Sequence, residues 1–496
     1  MTLAVEEPRI QQVVGGLSRK LLINGEWVDA ASSRTFESLN PATEDVLASV
    51  AHGEAEDVQR AVKAARAAFE HGSAWRSMPH GQRGRIIHKI GDLILEHLED
   101  FALLESLDNG KPYAVAKAAD VPLAADLFHY MSGWATKVEG STIPISAAHP
   151  DAYLGFTLRE PVGVCAQIIP WNFPLLMAAW KLGPALSSGC TIVLKPAEQT
   201  PLSALLLGEL AMRAGLPPGV LNIVTGFGEA GAALAAHPDV DKVAFTGSTE
   251  VGKEIVKAAA GNLKKVTLEL GGKSPNVVYA DADLDKAIAG SANAIFFNQG
   301  ECCVAGSRLY VEEPVYDQVV EGVAEMARNI TVGNGLDEAT DMGPLVSQEQ
   351  FDRVTGYIRS GREEGAEIRG GDRVGDRGYF VAPTILTGTR EEMTAVREEI
   401  FGPVVAAAPF NAEKDVLPVA NNTSFGLGAG VFTRDIGKAY RTARRLRAGT
   451  VWVNTWNVFD ATLPFGGFKQ SGWGREMGAA VFNNYMETKT VITDLS

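Results

Sequence analysis

The stretch from Val164 to Lys195, VCAQIIPWNFPLLMAAWKLGPALSSGCTIVLK, decides how the chain is read. It opens on an apolar run, Val164–Ile169, and turns at Pro170-Trp-Asn-Phe-Pro174. It then continues as a helical stretch near Leu175–Leu186 and returns to an apolar run at Thr191–Leu194. Two short apolar runs around a longer segment, punctuated by Pro and Gly, predict a strand–helix–strand unit. The alternation continues outward. Strand-like runs follow at Val220–Val224, Lys242–Phe245 and Lys265–Leu270, with helical stretches near Pro201–Ala214, Ala230–Ala236 and Val251–Ala260. Such alternation predicts an α/β fold with a parallel, doubly wound sheet, whose ligands sit at the carboxyl ends of the strands.

A second alternating section follows Pro275. Its strand-like runs are Asn276–Tyr279, Ser307–Val311, Val404–Pro409, Gly428–Phe432 and Thr450–Asn454, with helices near Tyr316–Ala327 and Gly437–Leu446. This predicts a second α/β lobe joined to the first near Gly271-Gly272, and active sites commonly sit where lobes meet. Upstream, Leu21–Ser49 is β-rich, and Asn24-Gly25 is a hairpin signal. Glu56–Phe69 is Ala-rich and helical. Arg83–Leu104 sets Ile86, Ile87, Ile90, Leu93, Ile94 and Leu98 on one helical face. Near the end, Glu487-Thr-Lys-Thr-Val-Ile492 is expected to pair as a strand with another element.

Composition bounds the function. The chain has 496 residues, too many for one ordinary core, and a net charge of −15. An acidic chain without a basic tail disfavours nucleic-acid and anionic-membrane partners. The most apolar region, Val162–Trp180, is broken by Gln167, Pro170, Asn172 and Pro174, so no membrane span is expected. Met1–Lys20 carries Glu6, Glu7 and Pro8 and does not have the form of a signal peptide. The four cysteines, Cys165, Cys190, Cys302 and Cys303, are too few for a disulfide framework and form no CxxC motif. A reducing, cytoplasmic compartment and no metal site are the expectations.

Six stretches have the composition of chemistry. Phe296-Phe-Asn-Gln-Gly-Glu-Cys-Cys-Val-Ala-Gly-Ser-Arg308 offers a thiol among small residues, a nucleophile if activated and a buried structural thiol otherwise. Leu268-Glu-Leu-Gly-Gly-Lys-Ser274 has a lone carboxylate at an apolar strand end. Burial there would raise its pKa toward that of a general base; a salt bridge with Lys264 or Lys273 is the alternative. Pro170-Trp-Asn-Phe-Pro174 fixes an amide donor that could serve an oxyanion or merely its own turn. Leu194-Lys-Pro-Ala-Glu198 places an acid where the second strand of the sheet ends, suited to ribose hydroxyls and hostile to a 2′-phosphate, or to a surface pair with Lys195. Gly226-Phe-Gly-Glu-Ala-Gly231 and Phe245-Thr-Gly-Ser248 each end a strand and open a helix, as anion sites do.

Together these stretches resemble the NAD(P)-dependent aldehyde dehydrogenase superfamily, closest to its phenylacetaldehyde and broad-specificity members. Glu269-Leu-Gly-Gly-Lys-Ser resembles the family's glutamate signature and Gly300-Glu-Cys-Cys-Val-Ala305 its cysteine signature. Glu398-Glu-Ile-Phe-Gly-Pro403 and Pro464-Phe-Gly-Gly-Phe-Lys469 also occur in the family's order, and the likeness runs from about Leu21 to Val491. It implies two Rossmann-like lobes with a small β oligomerisation element. The NAD-binding domain would be 1–138 and 162–271, the catalytic domain 272–473, and the oligomerisation element 139–161 and 474–496. The resemblance assigns Cys303 as nucleophile, Glu269 as base, Asn172 with the Cys303 N–H as oxyanion hole, and Lys181 and Glu476 as proton relay partners. Cys302 falls at the motif's variable position, and Glu301 replaces the commoner Gln. NAD, in preference to NADP, would be held by Ile169, Trp171, Lys195, Glu198, Gly228, Ser248, Glu399 and Phe401.

The same resemblance places Met131, Trp134, Trp456, Phe459 and Phe465 along a substrate tunnel. An aromatic lining suits an aryl, terpenoid or medium-chain aliphatic aldehyde. A betaine-aldehyde or semialdehyde specialist is the alternative enzyme, and a non-catalytic protein on the same fold the alternative class. A homodimer or homotetramer is implied, built through the segment near Glu139–Phe156 and the C-terminal strand.

Overall fold

Aliphatic and β-branched residues fill both faces of five short runs, and these form the parallel middle of an eight-stranded sheet. The computed structural model describes residues 7–146 and 149–496. In spatial order the strands are Gly472–Trp473, Lys265–Glu269, Lys242–Thr246, Val164–Ile168, Thr191–Lys195, Leu221–Ile223, Leu21–Ile23 and Glu26–Val28. The middle five run parallel, and the flanking pairings are antiparallel. Every residue of the three strands starting at Val164, Thr191 and Lys242 is buried, because helices cover both faces. Those helices include Pro174–Ser188, Leu202–Arg213, Gly228–Ala236 and Thr249–Ala259, close to the expected positions. The Asn24-Gly25 hairpin forms with φ of 54° and 80°, the left-handed pair that a tight primed turn requires.

The second sheet has seven strands, in the order Glu367–Gly370, Thr384–Thr387, Val404–Phe410, Arg308–Glu312, Pro275–Val278, Gly428–Phe432 and Thr450–Val453. All pairings are parallel except that of the first strand. The small third sheet pairs Met486–Asp494 antiparallel with Tyr153–Pro161, with Thr142–Ile143 on the far side. The expected partner of the C-terminal strand is therefore Tyr153–Pro161. Ile143, Tyr153, Leu154, Leu158 and Ile492 stand exposed on this ribbon. Met1–Glu6, part of the expected non-signal start, and Ala147-Ala148, inside the expected oligomerisation segment, lie outside the described residues.

One expected helix is two. Arg83–Leu104 breaks at His97 (φ −107°, ψ 25°) into His80–Glu96 and Leu98–Asp108. The break re-aims the second helix so that all of Phe101–Asp108 is buried, which a continuous amphipathic helix with one wet face would forbid. Val162–Trp180 folds as strand, turn and helix, and among the described residues no helix is long and apolar enough to cross a membrane.

Candidate active site

Three neighbouring parallel strands end along one edge of the first sheet. Val164–Ile168 leads into Pro170–Phe173, Lys242–Thr246 into Gly247-Ser248, and Lys265–Glu269 into Leu270-Gly271. These loops wall one side of a cavity of about 560 Å³; Phe297, Cys302, Cys303, Val304, Glu399 and Phe401 approach from the second lobe. The site thus occupies the carboxyl edge of a doubly wound sheet, where such folds bind ligands.

Backbone strain delivers the cysteines. The helix Leu284–Phe296 ends, and Asn298, Gln299 and Gly300 follow with φ of 50°, 58° and 70°. A non-glycine residue held there costs on the order of 1–3 kcal/mol, so the surrounding packing must enforce the reversal. A Cβ on Gly300 would lie 2.1 Å from the Gly402 carbonyl oxygen. On the opposite wall, a Cβ on Gly272 would lie 2.1 Å from the Cys303 carbonyl oxygen, and one on Gly271 2.2 Å from Glu399 Oε2. The Gly-Gly pair after Glu269 is what lets the cysteine loop close on the strand end. The Gly272 N–H donates to Glu399 Oε1 at 2.7 Å.

Electrostatics follow from that closure. Neither Glu269 carboxyl oxygen has a hydrogen-bond partner, and both are buried. Burial and the nearby Glu476 push its pKa well above the ordinary carboxylate range, against Lys181 and Arg475. The alternative, a salt bridge with Lys264 or Lys273, is not made: Lys264 Nζ donates to the carbonyls of Ala235 and His237, and Lys273 Nζ to that of Ala395. Cys303 is only half-buried while Cys302 is buried. The hydrogen bond to Cys302, burial and the carboxylates of Glu399 and Glu269 hold the Cys303 thiol well above its usual pKa. Burial raises Glu399 to about 7, with the Gly272 N–H opposing. Lys181 and Glu476 form a fully enclosed ion pair.

Asn172 is gripped from several sides. Its side-chain amide donates to the Glu301 carbonyl at 2.9 Å. Its own carbonyl accepts from Asn298 Nδ2 at 3.1 Å and Lys111 Nζ at 3.3 Å, and the Trp171 carbonyl accepts from Asn109 Nδ2 at 3.0 Å. Lys111 is entirely buried beneath the loop; burial pulls its pKa down, but Asp120 and Glu105 outweigh this and raise it. An amide nitrogen carries two hydrogens, so one remains for another acceptor. Asn298, Asn109 and Lys111 were not anticipated, since residues that position a loop from other elements leave no local signature.

The structure brings Cys303, Glu269, Asn172, Trp171, Ser248, Glu399, Phe401, Phe459 and Phe465 into the lining of one cavity. Trp171 and Phe401 meet edge-to-face at 5.2 Å, and Phe401 holds φ 61°. Met131, Trp134 and Trp456 are off the wall. Met131 is fully buried against Gly183, Trp134 lies against Phe482, and Trp456 packs on Trp452 over Gly430. The apolar wall is instead built from Phe173, Leu176, Met177 and Trp180, with Phe459 and Phe465. Trp180 meets Phe465 at 5.1 Å. These four residues follow Asn172 at one-face helical spacing, a signal present in the sequence.

Along the same carboxyl edge, beyond the cavity, lie Ile169, Lys195, Glu198 and Gly228. The Ile169 N–H donates to the Lys195 carbonyl at 3.1 Å, and Lys195 Nζ pairs with Glu198 at 3.0 Å. Helices open at Gly228, where an added Cβ would meet nothing within 4 Å, and after Ser248, whose side chain caps Val251. Thr246 Oγ1 is buried without a partner on the cavity wall. Helix N-termini at Gly228 and after Ser248, an acid at a strand end and an orphaned hydroxyl fit a dinucleotide.

The fold and site define a two-lobed α/β enzyme with its cavity at a strand-end seam. Residues 27–491 match the aldehyde dehydrogenase family. The chain is 53% identical over 480 residues to aldehyde dehydrogenase family 2 member B4, mitochondrial, of Arabidopsis thaliana, covering 96% of this chain and 88% of that one. It superposes on an NAD+ complex of an aldehyde dehydrogenase from Bacillus cereus with TM-score 0.97, 51% identity and full coverage of both chains. A betaine aldehyde dehydrogenase from Staphylococcus aureus with NAD+ gives TM-score 0.96 at 39% identity, covering 99% of this chain and 97% of that one. The chain belongs to the aldehyde dehydrogenase family, whose members oxidise aldehydes.

Proposed function

We propose that this protein oxidises apolar aldehydes (aryl, terpenoid or medium-chain aliphatic) to carboxylic acids, with Cys303 as nucleophile and NAD as oxidant. One observation carries the reading: Cys303 shares a single cavity with an unpaired, buried Glu269 and an aromatic wall. Bound NAD supplies the hydride acceptor, and Ile169, Trp171, Lys195, Glu198, Gly228, Ser248, Glu399 and Phe401 would hold it. Cys303 Sγ loses its proton to solvent, and the thiolate bonds the aldehyde carbon as the carbonyl π pair moves to oxygen. The free Asn172 N–H and the Cys303 N–H take the charge that develops on oxygen, each donor worth about 3–4 kcal/mol. Oxidation leaves an acyl group on Cys303. Glu269 then accepts a proton from the water that hydrolyses this thioester, and the Lys181–Glu476 pair carries that proton away. The carboxylate of Glu198, at the strand end, disfavours the 2′-phosphate of NADP.

Trp180, Phe459 and Phe465 support the apolar substrate class. Arg353, the one guanidinium on the wall among the described residues, donates to the Glu399 carbonyl at 2.7 Å and is not a free carboxylate clamp. The same rings would hold a quaternary ammonium by cation–π attraction, so betaine aldehyde is the second reading. The domains are assigned as 1–138 with 162–271, 272–473, and 139–161 with 474–496. The apolar ribbon of the third element would build a homodimer or homotetramer, in the cytoplasm. NADH formation with phenylacetaldehyde, hexanal, betaine aldehyde and succinic semialdehyde tests the reading. The first two should give the highest kcat/KM; turnover confined to the cationic or carboxylated aldehyde would overturn the apolar assignment.

A further inference from the structure

Helix His80–Glu96 presents His88 and Asp92 one turn apart on the same face, and helix Val121–Ser132 lays His129 across them. His129 Nε2 lies 3.2 Å from Asp92 Oδ1, and His88 Nε2 3.8 Å from the same oxygen. The three ligand atoms all lie within 4.8 Å of one another. Two ligands of a tetrahedral zinc, each at about 2.0–2.1 Å, stand about 3.3 Å apart, so modest side-chain rotation closes the set on one ion.

Two further features favour a built site over a chance cluster. The imidazoles of His88 and His129 are 4.5 Å apart between centroids, and a cation between their nitrogens would satisfy both. The His129 ring can reach this position only because residue 91 is glycine: a Cβ there would lie 2.6 Å from His129 Nε2 and Cδ2. Ser132 orients the other ring. Its hydroxyl donates to the His129 carbonyl at 2.7 Å, which leaves the oxygen to accept from His88 Nδ1 at 3.4 Å. That bond puts the His88 proton on Nδ1 and leaves Nε2 free as a ligand, the outer support that metal-binding histidines ordinarily have.

We propose that His88, Asp92 and His129 form a zinc site, with water completing the coordination, that clamps helix His80–Glu96 to helix Val121–Ser132. Two imidazoles and one carboxylate suit zinc and its late first-row neighbours over calcium or magnesium. The second helix also carries Pro122, Leu123 and Asp126 on the cavity wall, so a bound ion fixes one side of that wall.

The test uses the whole chelator-stripped protein titrated with Co2+, whose visible d–d absorption reports its ligands. The wild type should saturate at one equivalent without a thiolate charge-transfer band, and Zn2+ should displace the cobalt. His88→Ala and His129→Ala should lose the absorption while keeping native circular dichroism and the metal-free Tm. Gly91→Ala, which keeps every ligand but pushes the His129 ring aside, should bind at least tenfold more weakly. Zn2+ should raise the Tm of the wild type but not of His129→Ala. Absorption that survives in the double histidine variant, a thiolate band that vanishes in Cys303→Ala, or no absorption at all would overturn the proposal.

Discussion

The chain carries two pairs of neighbouring cysteines, and they meet opposite fates. Cys165, in the strand Val164–Ile168, and Cys190, just before the strand Thr191–Lys195, are wholly buried, with Cys190 Sγ donating to the Tyr485 carbonyl at 3.4 Å. Cys302 and Cys303 sit on a strained loop between lobes. In each pair one thiol is raised well above its ordinary pKa: Cys165 by burial and then by Cys190, Cys303 by its bond to Cys302 and then by burial. A shifted thiol therefore does not single out the nucleophile. Access does: Cys302 and Cys303 both border the cavity that holds the unpaired carboxyl, but of the four only Cys303 is not buried.

The contrast can be broken most directly by deletion. Cys303→Ala should lower kcat/KM at least about 10³-fold while NAD binding, followed by cofactor fluorescence, persists. Cys165→Ala should keep kcat/KM close to wild type; an equal loss in both would erase the distinction. Asn172→Ala should lower kcat by about 10²–10³-fold in steady-state kinetics with little change in KM. The acid–base side of the contrast is sharpened by pH. Glu269 and Cys303 both act deprotonated and both have raised pKa values, so kcat/KM should climb as pH rises through neutrality into the alkaline range. A rate that falls over that range contradicts the assignment. The smallest effect belongs to the sealed pair: Cys165→Ala should cost about 1–2 kcal/mol of stability in denaturant unfolding, through the cavity it leaves.

Much of the first lobe was legible because its strands are short, apolar and bounded by Pro and Gly, as at Val164–Ile168 and Lys242–Thr246. The motif residues that converge on the cavity were legible for a related reason: each sits at a strand end or beside a glycine that permits close approach. The second lobe was read less fully. Helix Gln348–Glu363 buries only Gln350, Phe351, Val354, Ile358 and Gly361, and this polar segment hides its apolar stripe. The resemblance puts Met131, Trp134 and Trp456 in the tunnel, yet Met131 is sealed in the core, Trp134 lies on Phe482 and Trp456 packs on Trp452. The wall that replaces them, from Phe173 to Trp180, depends on how one helix turns against the other lobe. The His88–Asp92–His129 cluster was likewise invisible, because its third member comes from a separate helix.

The central claim concerns a bond to Cys303, and peptide mass spectrometry reads that bond. Glu269→Gln enzyme, mixed with NAD and hexanal and quenched in acid, should give an NADH burst and a hexanoyl adduct on the peptide that contains Cys303. An adduct on any other residue, or a burst with no adduct, would contradict the account.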